Sequence, residues 1–317
     1  MDGFKVVLTD QVFPDTAIEE EIFAAAGGTL EVASGEREAV LAAAADADAV
    51  LTTYFPLARA DIERLGRCRI IARYGIGVDN VDVAAALERG IVVTNVPDYC
   101  VEEVGTHALA MVLALLRRLP AGHAQVLAGG WGVAGLRPML RPSEVTLGLV
   151  GYGRIARHLA SGAAALGMRI VAHDPYLQGP PPEGVELVDL PALLRRSDVV
   201  SLHCPLTETT RGLIGAEQLA MMQPHAILVN TSRGPLVRLG DLVAALSEGR
   251  IGGAGLDVFE VEPPDVALLQ GVPGLLATPH VGYYSEAAIH ESQRKAATQI
   301  VKQLAGEPVD YPVRPLP

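Results

Sequence analysis

The chain has little cysteine, no long apolar run and no concentration of basic charge. Its three cysteines, Cys68, Cys100 and Cys204, are too few and too widely spaced for a disulfide framework or a C-x-x-C metal site, which points to a reducing compartment and no bound metal. The longest uninterrupted apolar stretch, residues 108–116, falls well short of the ~20 residues that span a bilayer. Residues 1–10 contain a strand-like run, Phe4 to Thr9, rather than the apolar core of a signal peptide. A soluble, cytoplasmic protein is expected. Basic residues number 25 against 37 acidic ones, a net charge of −12, and they cluster no further than pairs such as Arg117-Arg118. Such a surface repels nucleic acids and anionic membranes, so neither is expected as a partner. An anionic substrate would need a small, local positive site.

What is present is apolar and periodic. Half of the 317 residues are hydrophobic, which excludes disorder, and the length exceeds one ordinary domain. Strands are predicted at residues 6–9, 50–52, 70–73 and 91–94, with helices at 17–26, 37–45, 61–65 and 83–89 between them. A long helix follows at 101–119, with Glu102 and Glu103 near its start, Arg117 and Arg118 near its end, and Pro120 with Gly122 as the stop. Residues 129–142 read as an irregular connection. Seven more strands are predicted at 146–150, 169–173, 185–188, 199–202, 227–230, 253–256 and 275–278, and a last helix at 285–304. Strands alternating with helices build parallel sheets covered on both faces, and the second block is long enough for a complete doubly wound domain.

The second block opens with Thr146-Leu-Gly-Leu-Val-Gly151-Tyr-Gly153-Arg-Ile-Ala156, a strand, a glycine turn and a helix start. Gly151 permits the turn, Gly153 lets backbone approach a pyrophosphate, and Ala156 allows close helix–strand packing. The first helical residues, Arg154 and Ile155, then offer amides to phosphate oxygens. Asp174 follows the next strand at roughly the 20-residue interval of dinucleotide folds. A carboxylate there accepts from a ribose 2′-OH and repels a 2′-phosphate, favouring NAD over NADP.

Three further segments place charge just past apolar strands. They are Asn230-Thr231-Ser232-Arg233-Gly234, then Asp257-Val-Phe-Glu260-Val-Glu262-Pro263, then Thr278-Pro279-His280-Val-Gly282. Ligands bind at the carboxyl ends of such strands. Arginine can clamp a carboxylate and polarise a carbonyl, histidine can exchange a proton near neutral pH, and a glutamate can orient the imidazole. That set beside a dinucleotide suggests hydride transfer between the nicotinamide and C2 of a 2-oxo or 2-hydroxy acid.

These segments resemble the D-isomer-specific 2-hydroxyacid dehydrogenases along essentially the whole chain. Arg73-Tyr-Gly-Ile-Gly-Val-Asp-Asn-Val-Asp82 and Ser201-Leu-His-Cys-Pro-Leu-Thr207 belong to the same likeness. The resemblance implies an NAD-binding Rossmann domain, residues 101–284, inserted into a flavodoxin-like substrate domain made of 1–100 and 285–317, with the active site in the cleft. It also implies that Arg233 binds substrate, His280 is the acid/base and Glu262 its carboxylate partner, with Glu260 as the rival. Ile76 and Gly77 would offer amides to the substrate carboxylate. His203, Cys204, Pro205 and Thr209 would border the adenosine half of NAD, and Thr231, Ser232, Asp257 and Gly282 would lie toward the nicotinamide, as would His280.

Residues 95–103 and Tyr283-Tyr-Ser-Glu286 are similar to the branch holding the C-terminal-binding-protein corepressors and their bacterial dehydrogenase relatives. Tyr283 stands where those corepressors carry tryptophan and would form a pocket wall. The 3-phosphoglycerate dehydrogenases share much of the pattern, many with a regulatory domain not expected here. The alternatives are therefore a phosphorylated or phosphonate-bearing substrate, or an NAD(H)-sensing binding protein. Arg73 reads either as a second positive charge for substrate or as an ion-pair partner. His107 reads as a cofactor-side or a structural histidine. Tyr54 and Phe55 could line the cleft, and Trp131 reads as either a contact in a homodimer or local packing.

Overall fold

The computed structural model describes residues 3–314; the expected domain limits at residues 1 and 317 lie outside that range. The described chain divides into two units, one formed by the chain up to Cys100 with the chain from Tyr284 onward, the other by Val101–Tyr283.

The first unit begins β1 (Phe4–Leu8), α1 (Ala17–Ala25), β2 (Gly28–Val32), α2 (Arg37–Ala44) and β3 (Ala49–Thr52). It continues α3 (Arg59–Ile62), β4 (Ile70–Arg73), α4 (Val83–Glu88) and β5 (Val92–Thr94). The sheet is parallel in the order β2-β1-β3-β4-β5, the flavodoxin-like arrangement. Every residue of β3 and β4 is buried, because helices cover both faces of the sheet. The unpredicted β2 lies at the sheet edge. Its sequence, Gly-Thr-Leu-Glu-Val, is largely exposed and has no apolar run to announce it.

The second unit holds α5 (Val101–Leu116), α6 (Leu119–Leu127), β6 (Thr146–Val150), α7 (Arg154–Ala165), β7 (Arg169–His173) and β8 (Val185–Leu187). After α8 (Leu190–Arg196) come β9 (Val199–Leu202), α9 (Ala216–Met221), β10 (Ile227–Asn230) and α10 (Leu239–Ser247). The unit closes with β11 (Gly253–Leu256), α11 (Val266–Leu269) and β12 (Leu275–Ala277). The parallel order β12-β11-β10-β9-β6-β7-β8 is a Rossmann sheet, and its strand order reverses between β6 and β9. Crevices outside the carboxyl ends of strands at such a switch point are where these sheets take ligands. α5 packs against α7, β10 and β11, and its buried Ala108, Met111, Val112 and Leu115 fill one core face.

One helix expectation is corrected. The single helix expected to stop at Pro120 is two helices bent by 55°, and α6 occupies residues otherwise read as past the stop. Arg118 takes a left-handed conformation and breaks the ladder, while Pro120 sits in the first turn of α6, where its missing N–H is harmless. The last helix, α12 (Glu286–Ala305), belongs to the first unit and packs on α1, β3 and β4. Among the described residues, no single helix is long and apolar enough to cross a membrane.

Candidate active site

The glycine turn follows β6. Gly151 has φ of +87°, and a Cβ there would lie 2.7 Å from the His203 carbonyl oxygen and 2.8 Å from the Cys204 nitrogen, so only glycine fits. Gly153 caps α7, and a Cβ there would meet nothing within 4 Å, so the approach to the Arg154 and Ile155 amides is open. Asp174 accepts from the Tyr152 and Tyr176 amides at 2.9 and 3.0 Å, one to each carboxylate oxygen. Each oxygen keeps a further acceptor site for a ribose hydroxyl. His203 bonds Ser201 Oγ at 2.8 Å, and burial pushes its imidazole down to about 4. The Cys204 thiol is pushed up to about 11 by burial, as an unreactive cysteine should be. Pro205 and Thr209 are exposed on the same loop. Thr231 is buried, and its hydroxyl has no hydrogen-bond partner among the described residues. An orphaned buried hydroxyl, an open helix start and an acceptor carboxylate fit a dinucleotide.

Arg233, Glu262 and His280 come from the loops after β10, β11 and β12. Buried Asn230 shapes the arginine loop, donating from Nδ2 to the Arg233 carbonyl at 2.8 Å and accepting from the Ser232 amide at 3.0 Å. Gly234 presses so closely on the next loop that a Cβ would overlap the Phe259 carbonyl. That contact sets the Arg233 loop directly against the loop carrying Glu262. Glu262 accepts from the Phe259 amide at 2.9 Å and meets His280 Nδ1 at 2.7 Å, whereas Glu260, equally exposed, makes neither contact. Partial burial opposes the Glu262 charge, but the bonds from His280 and Phe259 and the charges of His280 and Arg233 outweigh it and hold its pKa below 4.5. His280 has φ of +54°, a conformation costing about 1–3 kcal/mol for an L-residue and tolerated where function needs it. The Tyr283 ring stands edge-on to the imidazole at 5.9 Å.

Asp257, Thr278 and Gly282 hold that strained turn. The nearly inaccessible Asp257 carboxylate accepts from Thr278 Oγ1 at 2.5 Å and from the Val281 and Gly282 amides at 2.9 and 2.8 Å. Thr278 had no signal in the sequence beyond standing two residues before the histidine, and Asn230 looked like the end of an apolar strand.

Arg73, Ile76, Gly77, Tyr54 and Phe55 belong to the first unit. Arg73 is buried at the end of β4, and its Nε donates to the Thr53 carbonyl at 3.1 Å. Ile76 and Gly77 follow in a half-buried loop, where Asn95 Nδ2 donates to the Ile76 carbonyl at 2.6 Å. Tyr54 and Phe55 lie on a loop whose amides, with that of Thr53, converge on the Asp10 carboxylate at 2.6–3.1 Å.

Residues 109–282 match the family model described as D-isomer specific 2-hydroxyacid dehydrogenase, NAD binding domain. The chain belongs to the D-isomer specific 2-hydroxyacid dehydrogenase family. It is 39% identical over 312 residues to D-3-phosphoglycerate dehydrogenase of Methanocaldococcus jannaschii, a match covering 96% of this chain and 58% of that protein. It is 42% identical over 267 residues to glyoxylate reductase of Korarchaeum cryptofilum, covering 82% and 79%. Among solved structures, a glyoxylate reductase from Paecilomyes thermophila superposes with a TM-score of 0.89 at 30% identity, covering 99% of both chains. The chain thus spans little more than half the length of the phosphoglycerate dehydrogenases it matches. In family terms, the glycine turn and the three charged loops all fall within or immediately around the NAD-binding domain, whereas Arg73, Ile76 and Gly77 lie outside it.

Proposed function

We propose that this protein is an NAD-dependent D-2-hydroxyacid dehydrogenase that interconverts a small 2-oxo acid and its D-2-hydroxy acid. The observation carrying this reading is the 2.7 Å His280–Glu262 contact on a loop packed against that of Arg233, on the sheet that bears the glycine turn. Bound NADH supplies the hydride to C2, and NAD accepts it in reverse. The guanidinium of Arg233 pairs with the substrate carboxylate and polarises the carbonyl. Glu262 fixes the ring of His280 through Nδ1. During reduction His280 gives its Nε2 proton to the carbonyl oxygen; during oxidation it takes that proton back. Tyr283 walls the pocket. The cofactor is held by the Gly151–Gly153 turn, the Arg154 and Ile155 amides, Asp174 on the ribose, residues 203–205 and Thr209 at the adenosine, and Thr231, Ser232, Asp257 and Gly282 toward the nicotinamide.

The 39% identity to a D-3-phosphoglycerate dehydrogenase supports a second reading, in which the substrate also carries phosphate or phosphonate. The test is NADH oxidation with glyoxylate, hydroxypyruvate, pyruvate, bulkier 2-oxo acids and 3-phosphohydroxypyruvate. Turnover of any of them is expected, and preference for the phosphorylated acid selects the second reading. NADH binding with no turnover across the panel would overturn both readings and leave a nucleotide sensor.

We also propose a cytoplasmic homodimer. Leu119, Val126 and Leu127 of α6, with Trp131 and Val133 beyond it, are all more than half exposed, a clustering that a solvated monomer rarely shows.

A further inference from the structure

His107 lies on α5, remote in sequence from the charged loops. Its Nε2 is 3.1 Å from Thr278 Oγ1 and 3.5 Å from Asp257 Oδ1. Both Asp257 oxygens already accept amide protons, from Val281 and Gly282, so the 2.5 Å contact between Thr278 and Asp257 is donated by the hydroxyl. A hydroxyl has one proton. His107 must therefore be the donor to Thr278, with its hydrogen on Nε2. The result is a directed chain, His107 Nε2–H to Thr278 Oγ1–H to Asp257 Oδ1.

Asp257 is the pin of the turn that carries His280. Its carboxylate binds the two amides following the histidine, and its carbonyl accepts the His280 amide at 2.8 Å. The turn holds an L-residue at φ of +54°, so it needs restraint from outside itself. The Asp257 carboxylate draws the Thr278 proton, and His107, donating to the same hydroxyl oxygen, holds that side chain in place from the α5 side. His107 and Thr278 both bring a polar side-chain atom to within 3.5 Å of that carboxylate.

We propose that His107 is a positioning residue for the dehydrogenase reaction, acting through Thr278 and Asp257 to fix the His280 turn. The proposal rests on the functional reading above and deepens it. Misplacement by about 1 Å can cost on the order of 100-fold in rate. Steady-state kinetics with NADH and the best panel acid should show His107→Leu lowering kcat by about tenfold or more, with the Kd for NADH changed less than about threefold. His107→Gln, which restores an N–H near the Nε2 position, should return kcat to within about threefold of wild type; a merely space-filling histidine would not be rescued this way. Thr278→Val should reproduce the loss, and the double variant should be no worse than the poorer single one, because both act on one chain. A His107→Leu enzyme with kcat within about twofold of wild type, or losses that multiply in the double variant, would overturn the proposal. If His107→Leu fails to fold, Thr278→Val carries the same prediction. Imidazole nitrogen NMR of the wild-type protein decides the donor without turnover: the proposal requires a hydrogen on His107 Nε2, and a bare Nε2 refutes it. Absence of turnover by the wild type with every acid would instead refute the functional reading.

Discussion

At the residue scale, chemistry depends on a few side chains whose neighbours set their charge. Arg233→Ala should raise KM and lower kcat together, for a fall of roughly 100-fold in kcat/KM, the loss of a charge-assisted contact of about 3 kcal/mol. His280→Ala should cost about 10²–10⁴ in kcat at neutral pH. Normal turnover by either variant, with the acid that wild type prefers, would remove that residue from its assigned role. His203 yields a prediction about stability. Burial lowers its folded pKa from 6.5 to about 4, so the unfolded chain binds the extra proton between those values. The protein should therefore be more stable above about pH 6.5 and lose that increment as the pH falls toward 4. Melting curves for His203→Gln should be flatter across this window than those of wild type; parallel curves would contradict the assignment.

At the element scale, loops after β10, β11 and β12 act as one piece because backbone meets backbone. Gly234→Ala would force a methyl into the Phe259 carbonyl. Overpacking of this kind costs about 1–3 kcal/mol, so the melting temperature should fall by several degrees. The kcat should fall as well, since the Arg233 and Glu262 loops are pushed apart; a variant that melts lower but keeps wild-type kcat would show that their spacing is uncritical. The elements themselves were largely legible. β4, β6, β7, β9, β10 and β11 lie at the expected residues, because strands whose centres are buried on both faces read as nearly continuous apolar runs. The exposed edge strand β2 escaped for the converse reason. The bend at Arg118 escaped because a left-handed arginine has no sequence signature, while Pro120 is equally suited to stopping a helix or starting one.

At the scale of the whole molecule, a net charge of −12 is compatible with the proposed anionic substrate because Arg233, beside Glu262, places positive charge locally. The exposed apolar face of α6 and Trp131 yields the last prediction. Light scattering should give twice the chain mass, and Leu127→Asp should shift the protein toward monomer; a wild-type monomer at micromolar concentration would exclude the proposed dimer.

The sequence by itself determined the two parallel-sheet blocks and the nucleotide turn, and it marked Arg233, His280 and the rival carboxylates Glu260 and Glu262 as candidates, because apolar strands followed by glycine or charge are local patterns. Only the tertiary structure separated Glu262 from Glu260. Two residues apart, they differ in whether a folded loop brings the carboxylate to the Phe259 amide and His280 Nδ1. Only the tertiary structure brought His107 to Thr278, since α5 and the turn after β12 meet through packing and no local pattern encodes a contact across more than half the chain.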